Sequence, residues 1–169
     1  MIQVGFSTHR NSLLSWLIRK LTRSEASHAW ILLDETYFGT QMVLESVGIG
    51  GFRLVTYDLF KKQKNRVIAL VDPGVDLEPG VHEAAQWLGT SYDHLGFFGA
   101  GIAVLGRWIY RRWHNPFRSA SSQFCSEAVV RILQTSHCPG ADSLDPETTT
   151  PQDLLDFLAL RAVVTRFDA

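Results

Sequence analysis

Cys125 stands in the stretch SSQFCSEAVVRIL, Ser121 to Leu133, with small polar residues before it and Ala128, Val129, Val130, Ile132 and Leu133 forming an apolar helical face beyond it. The pattern predicts a helix with Cys125 in its first turn, away from the face that a cysteine buried for packing would occupy. Free N–H groups and the positive end of the dipole favour an anion there, and the thiolate is the nucleophilic form of the side chain. Such chemistry also needs a base within hydrogen-bond reach and a third group to hold that base in one tautomer. Of the six histidines, His9, His94 and His137 fall in predicted loops, His82 on a solvated helix turn and His114 beside Asn115-Pro116. His28 differs, because SHAWILLD sets its imidazole at the mouth of an apolar strand. In QMVLESVG, Glu45 lies among Met42, Val43, Leu44 and Val47, where an unpaired carboxylate is costly. If the two strands pair as an antiparallel hairpin, Glu45 and His28 can share a face, leaving one ring nitrogen for the thiol. The ordinary alternatives are a structural histidine beside a core strand and a glutamate on the solvent side of an edge strand.

The elements that must hold these residues are legible from periodicity. Ile2 to Ser7 reads as a strand, and Leu13, Leu14, Trp16, Leu17 and Leu21 recur at helical spacing behind an Asn11 or Ser12 cap. His28 to Leu33, Gln41 to Val47, Gly51 to Tyr57 and Arg66 to Val71 are short β-like runs, with turns expected near Asp34 to Gly39 and around Gly48 to Gly51. Pro79 to Leu88 predicts a helix with Val81, Ala84, Ala85 and Leu88 inward, followed by an aromatic, glycine-rich segment to Trp113. Beyond the Cys125 helix and a polar loop from Ser136 to Thr150, Thr150 as cap and Pro151 at the first helical position open a last helix to Leu160. Val163 to Phe167 closes the chain as a strand. Strands first and helices second predict an α+β domain, with residues 1–169 as one unit.

Composition narrows the function classes. A hydrophobic fraction of 46% against 20% charged residues is an ordinary globular balance. The formal net charge of −1 gives no global field toward nucleic acid or anionic lipid, so no nucleic-acid partner is expected. The opening MIQVGFSTHR lacks the layout of a secretory signal, and the most apolar stretch, Phe97 to Gly106, is too short and glycine-rich to span a bilayer. The expectation is a cytoplasmic protein. A disulfide between Cys125 and Cys138 would have to bridge a helix about 15 Å long, whereas bridged Cα atoms lie within about 7 Å. Cys125, Cys138, His137 and His28 lack the close spacing of a zinc site, so neither metal nor cofactor is called for.

Taken in order, SHAWILL, VLESVGIGG, SYDHLG, FCSEAVVRIL and TTPQDL resemble the circularly permuted branch of the NlpC/P60 papain-like superfamily, closest to its YiiX/YebB-like proteins. The resemblance runs from about Phe6 to Leu155, and its histidine strand precedes its cysteine helix, which is the permuted order. It implies a papain-like core: a small antiparallel sheet or partial barrel packed against the helix bearing the nucleophile. It also implies Cys125 as nucleophile, His28 as general base and Glu45 as the residue orienting the imidazole. Tyr92 and Asp93 match the family's tyrosine–aspartate element and take a structural or pocket role. Oxyanion donors in such folds are backbone amides near the nucleophile, which nominates the Cys125 N–H. Ser27, Tyr92 and Gln123 are the substrate-binding candidates.

These residues predict a cysteine hydrolase that cleaves an amide through a thioester, and the resemblance implies a peptide or peptidoglycan-like substrate. One alternative is a lipid acyl-group hydrolase or acyltransferase on the same fold. Residues 97–118 combine apolar and aromatic side chains with Arg107, Arg111, Arg112 and Arg118, which suits a membrane surface or an acyl chain. The plainer and preferred reading of that segment is a helix buried on one side with a solvated arginine face. A third reading, a catalytically silent binding or structural module, sits poorly with intact Cys125, His28 and Glu45.

Overall fold

The computed structural model describes residues 1–9, 24–47, 51–63, 65–89 and 120–167, with the side chains of 9 and 120–124 outside the description. The helix expected around Leu13 to Leu21 and the segment from Ser91 to Phe117 lie outside the described residues. What is described is an α+β arrangement in which helices pack on a six-stranded antiparallel sheet. The elements are β1 (Ile2–His9), β2 (His28–Leu33), α1 (Glu35–Phe38), β3 (Met42–Val47), β4 (Gly51–Thr56) and α2 (Tyr57–Lys62). They continue with β5 (Asn65–Asp72), α3 (Glu78–Ala84), α4 (Ala120–Thr135), α5 (Pro151–Ala159) and β6 (Val163–Arg166). The strand order is β4-β3-β2-β1-β5-β6, and every neighbouring pair is antiparallel.

β2 is central, so both of its faces are covered. Ala29, Ile31 and Leu33 join the main core with Phe6, Leu44 and the α4 residues Val129, Ile132 and Leu133. Trp30 and Leu32 point the other way into a smaller core with Val43 and Phe60, as period-two alternation requires. This explains why HAWILL is apolar almost throughout. Phe60 comes from α2, which the sequence reading missed by running β4 on through Tyr57. Thr56 instead caps that helix by accepting from the Leu59 amide at 3.3 Å, and α2 then roofs the second core, its Phe60 ring 4.7 Å from Trp30. The β2–β3 turn likewise tightens into the single turn of α1. Asp34 caps its start and Gly39, at φ +68°, ends it in the left-handed region.

On α3 the buried positions are Gly80 and Ala84, while Val81 is half-buried and Ala85 and Leu88 are exposed. The inward face is therefore rotated from the one expected, because α3 meets α4 through a glycine. A Cβ at Gly80 would fall 2.2 Å from the Ile132 carbonyl oxygen, and its amide donates to Ser136 Oγ at 3.0 Å. The α5 start is as the sequence predicts. Thr150 and Asp153 form a reciprocal capping box, with Pro151 in the first turn.

Candidate active site

His28 is the first residue of β2, paired across the ladder with Ser7 of β1. The β1–β5 register slips between Phe6 and Ser7 at this same level, and such bulges re-aim side chains beside functional sites. The approach to His28 is tied down. The Ser27 amide donates to the Ser7 carbonyl at 3.0 Å, and the Trp30 indole donates to Ser7 Oγ at 3.2 Å. Gln152 of α5 accepts from the Glu25 amide at 2.9 Å and from Ser24 Oγ at 3.2 Å. The TTPQDL stretch thus fixes the lead-in to the histidine strand, and Thr149 reaches the cysteine helix as well, accepting from Ser126 Oγ at 2.6 Å.

β2 and β3 form the antiparallel pair expected of them, with Leu32 opposite Val43 and Ile31 opposite Leu44. Continuing that ladder sets Glu45 level with Trp30, so His28 is its diagonal neighbour on one face, a separation that a glutamate side chain can bridge. His28 Nε2 and Glu45 Oε2 lie 2.8 Å apart. The Glu45 side chain is 1% exposed, which removes the solvent-facing alternative, and His28 is 17% exposed. A further side-chain hydrogen bond joins His28 to Cys125. With Nε2 engaged by Glu45, Nδ1 is the nitrogen left to the sulfur.

The second Glu45 oxygen has a partner that the sequence reading missed. Arg53, directly opposite Glu45 in the β3–β4 ladder, donates to Oε1 from Nε at 3.0 Å and from Nη2 at 2.7 Å. Nη2 also donates to Gln63 Oε1 at 2.8 Å, at the end of α2. The available signal was a guanidinium in the otherwise apolar strand GFRLVT, one hairpin away from a buried carboxylate.

Electrostatics follow from this chain of partners. Burial acts most strongly on His28 and by itself would lower its pKa. The charge and hydrogen bond of Cys125, followed by those of Glu45, outweigh it and push the pKa from 6.5 up to about 10. Burial also acts most strongly on Glu45, in the raising direction, but His28 and then Arg53 hold the carboxyl below its ordinary 4.5. From His28 onward the group thus reads as alternating charge, with imidazolium, carboxylate and guanidinium in turn, and the Cys125 sulfur stands against the imidazolium.

Two expectations about Cys125 need correction. It is the sixth residue of α4, which begins at Ala120, not a first-turn residue. Only the first four amides of a helix lie outside the ladder, and the dipole acts within the first turn. The Cys125 N–H is therefore no free oxyanion donor, and the charge beside the sulfur comes from His28. Cys125 and Cys138 are both buried and are not joined in a disulfide, with Cys138 packed in the main core.

Of the substrate-binding candidates, Ser27 is half-buried next to His28, with Oγ 3.4 Å from Thr8 Oγ1. Gln123 lies on α4 two residues before Cys125, its side chain outside the description. Tyr92, Asp93 and residues 97–118 lie outside the described residues. Among the described residues, no three His, Cys, Asp or Glu side chains gather as a metal site, and no helix is long and apolar enough to cross a membrane. Compared with known protein families and with curated proteins, the chain matches none.

Proposed function

We propose that the protein is a cysteine hydrolase of the circularly permuted NlpC/P60 papain-like type, acting on an amide bond in a peptide or peptidoglycan-like substrate. One observation carries this reading: Cys125, His28 and Glu45, drawn from three separate elements, form one hydrogen-bonded chain around a largely buried imidazole. A silent module has no need of a carboxylate buried against a histidine that faces a thiol. Cys125 acts as a thiolate that adds to the substrate carbonyl carbon. The carbonyl π electrons move to oxygen, and as they return the C–N bond breaks while His28 passes its proton to the leaving amine. Water then attacks the thioester with His28 taking its proton, and the thiolate leaves to regenerate the pair. Glu45 holds the imidazole through Nε2 throughout and stabilises its charged form.

The test uses a panel of fluorogenic peptidyl and acyl amides, with intact-mass detection of an acyl adduct. Wild-type protein is expected to form an adduct on Cys125 and turn over at least one peptidyl amide. Cys125→Ala should lose both, with turnover down by about 10³-fold or more. Turnover that survives Cys125→Ala sinks the reading, and turnover confined to long-chain acyl amides replaces the peptidase with the lipid enzyme.

A further inference from the structure

We infer that Arg53 is a positioning residue for this site: by gripping the Glu45 oxygen that His28 does not use, it keeps the carboxylate ionised and turned toward the imidazole. The inference rests on the roles assigned above to Cys125 and His28, and goes beyond them in extending the working group to a fourth residue, on β4, and its anchor. Arg53 makes a two-point contact with one oxygen, Oε1, and among the described residues the partner of Oε2 is His28. The guanidinium is itself held by Gln63, so its direction is set from two sides. A carboxylate 1% exposed and facing only a histidine would be ionised only while that histidine is charged. With Arg53 present its charge persists through the steps in which His28 gives up and regains a proton.

Among the described residues, the charged groups bearing on Glu45 are His28 from β2 and Arg53 from β4, and those bearing on His28 are Cys125 from α4 and Glu45 from β3. On α2, which covers this face, Asp58 and Lys61 pair with each other at 3.1 Å. Removing the guanidinium acts in one direction by two routes. Glu45 protonates more readily and stops supporting the imidazolium, and any Glu45 that stays charged makes the thiolate less favourable. Both routes move the acid limb of Cys125 reactivity to higher pH.

The readout is the rate of iodoacetamide alkylation of Cys125 from pH 4 to 9, followed by peptide mass spectrometry, which requires no knowledge of the substrate. In Arg53→Gln the midpoint of the acid limb should rise by about one pH unit, and Arg53→Lys, which keeps the charge, should recover most of that shift. A purely structural arginine would lower stability and leave the midpoint where it is. Because Arg53 acts through Glu45, Glu45→Gln and Glu45→Gln/Arg53→Gln should give superimposable profiles. That comparison stands even where Arg53→Gln alone does not fold, since no carboxylate is then left unpaired. An Arg53→Gln limb coincident with wild type, while the His28→Ala limb is displaced, overturns the role of Arg53 alone. So does a further displacement by Arg53→Gln in the Glu45→Gln background. A His28→Ala profile identical to wild type overturns the cysteine–histidine reading, and the role of Arg53 with it.

Discussion

Replacing Glu45 with glutamine keeps the volume of the side chain and removes its charge. The wild-type carboxylate accepts from His28 at 2.8 Å on one oxygen and from Arg53 at 2.7 and 3.0 Å on the other. An amide has one oxygen to offer, so either the imidazole or the guanidinium must face an NH2 group. At a side chain 1% exposed no water relieves that clash. The expected loss is about 3 kcal/mol, the lower end for breaking a buried pair because His28 retains partial solvent contact. Against a typical total of about 5–15 kcal/mol this is easily read by urea denaturation. The pH dependence separates charge from packing. Glu45 titrates below its ordinary 4.5 when folded, so its contribution is complete above 4.5 and disappears as pH falls through the folded value. His28 titrates at about 10 rather than 6.5, so its contribution is complete below 6.5 and is lost as pH rises toward 10. The deficit of Glu45→Gln should therefore be greatest between about pH 4.5 and 6.5 and shrink on both sides. A deficit of constant size from pH 3.5 to 10 would refute the ionised pair and leave only a packing role.

Three further outcomes are expected. Iodoacetamide at pH 6 should label Cys125 before Cys138, because burial pushes the Cys138 thiol up against a weaker opposing effect of Arg161; equal labelling, or labelling of Cys138 alone, counts against an activated nucleophile. Gly80→Ala should cost about 1–3 kcal/mol, since its Cβ would meet the Ile132 carbonyl oxygen at 2.2 Å and a helix backbone cannot step aside; an unchanged melting temperature would show that α3 and α4 are not so close. Gln152→Ala should cost about 1 kcal/mol and raise amide exchange in Glu25 while β3 and β4 stay protected; uniform exchange across the sheet would deny it an anchoring role.

Much of this protein was legible along the chain, because backbone periodicity is a local property. Alternation located β1 to β6 to within about two residues at their ends, and Thr150-Pro151 announced α5 with its cap. Residue chemistry singled out Cys125, His28 and Glu45, since a polar group in an apolar strand needs a reason wherever the strand ends up. Other features were set by contacts between distant segments. Arg53 reaches Glu45 only because the β3–β4 register puts the two directly opposite, and Ser24 meets Gln152 across 128 residues of sequence. The start of α4 at Ala120 was hidden because ASSQF contains no residue that forbids a helix, so small polar side chains read as a cap. Tyr57 to Lys62 turned helical because Phe60 could cover Trp30 from that position, an advantage no window along the chain contains. Local sequence specifies which faces must be hidden and which groups cannot be left unpaired; the packed structure decides what hides and pairs them, because burial and charge act through space between residues far apart in the chain.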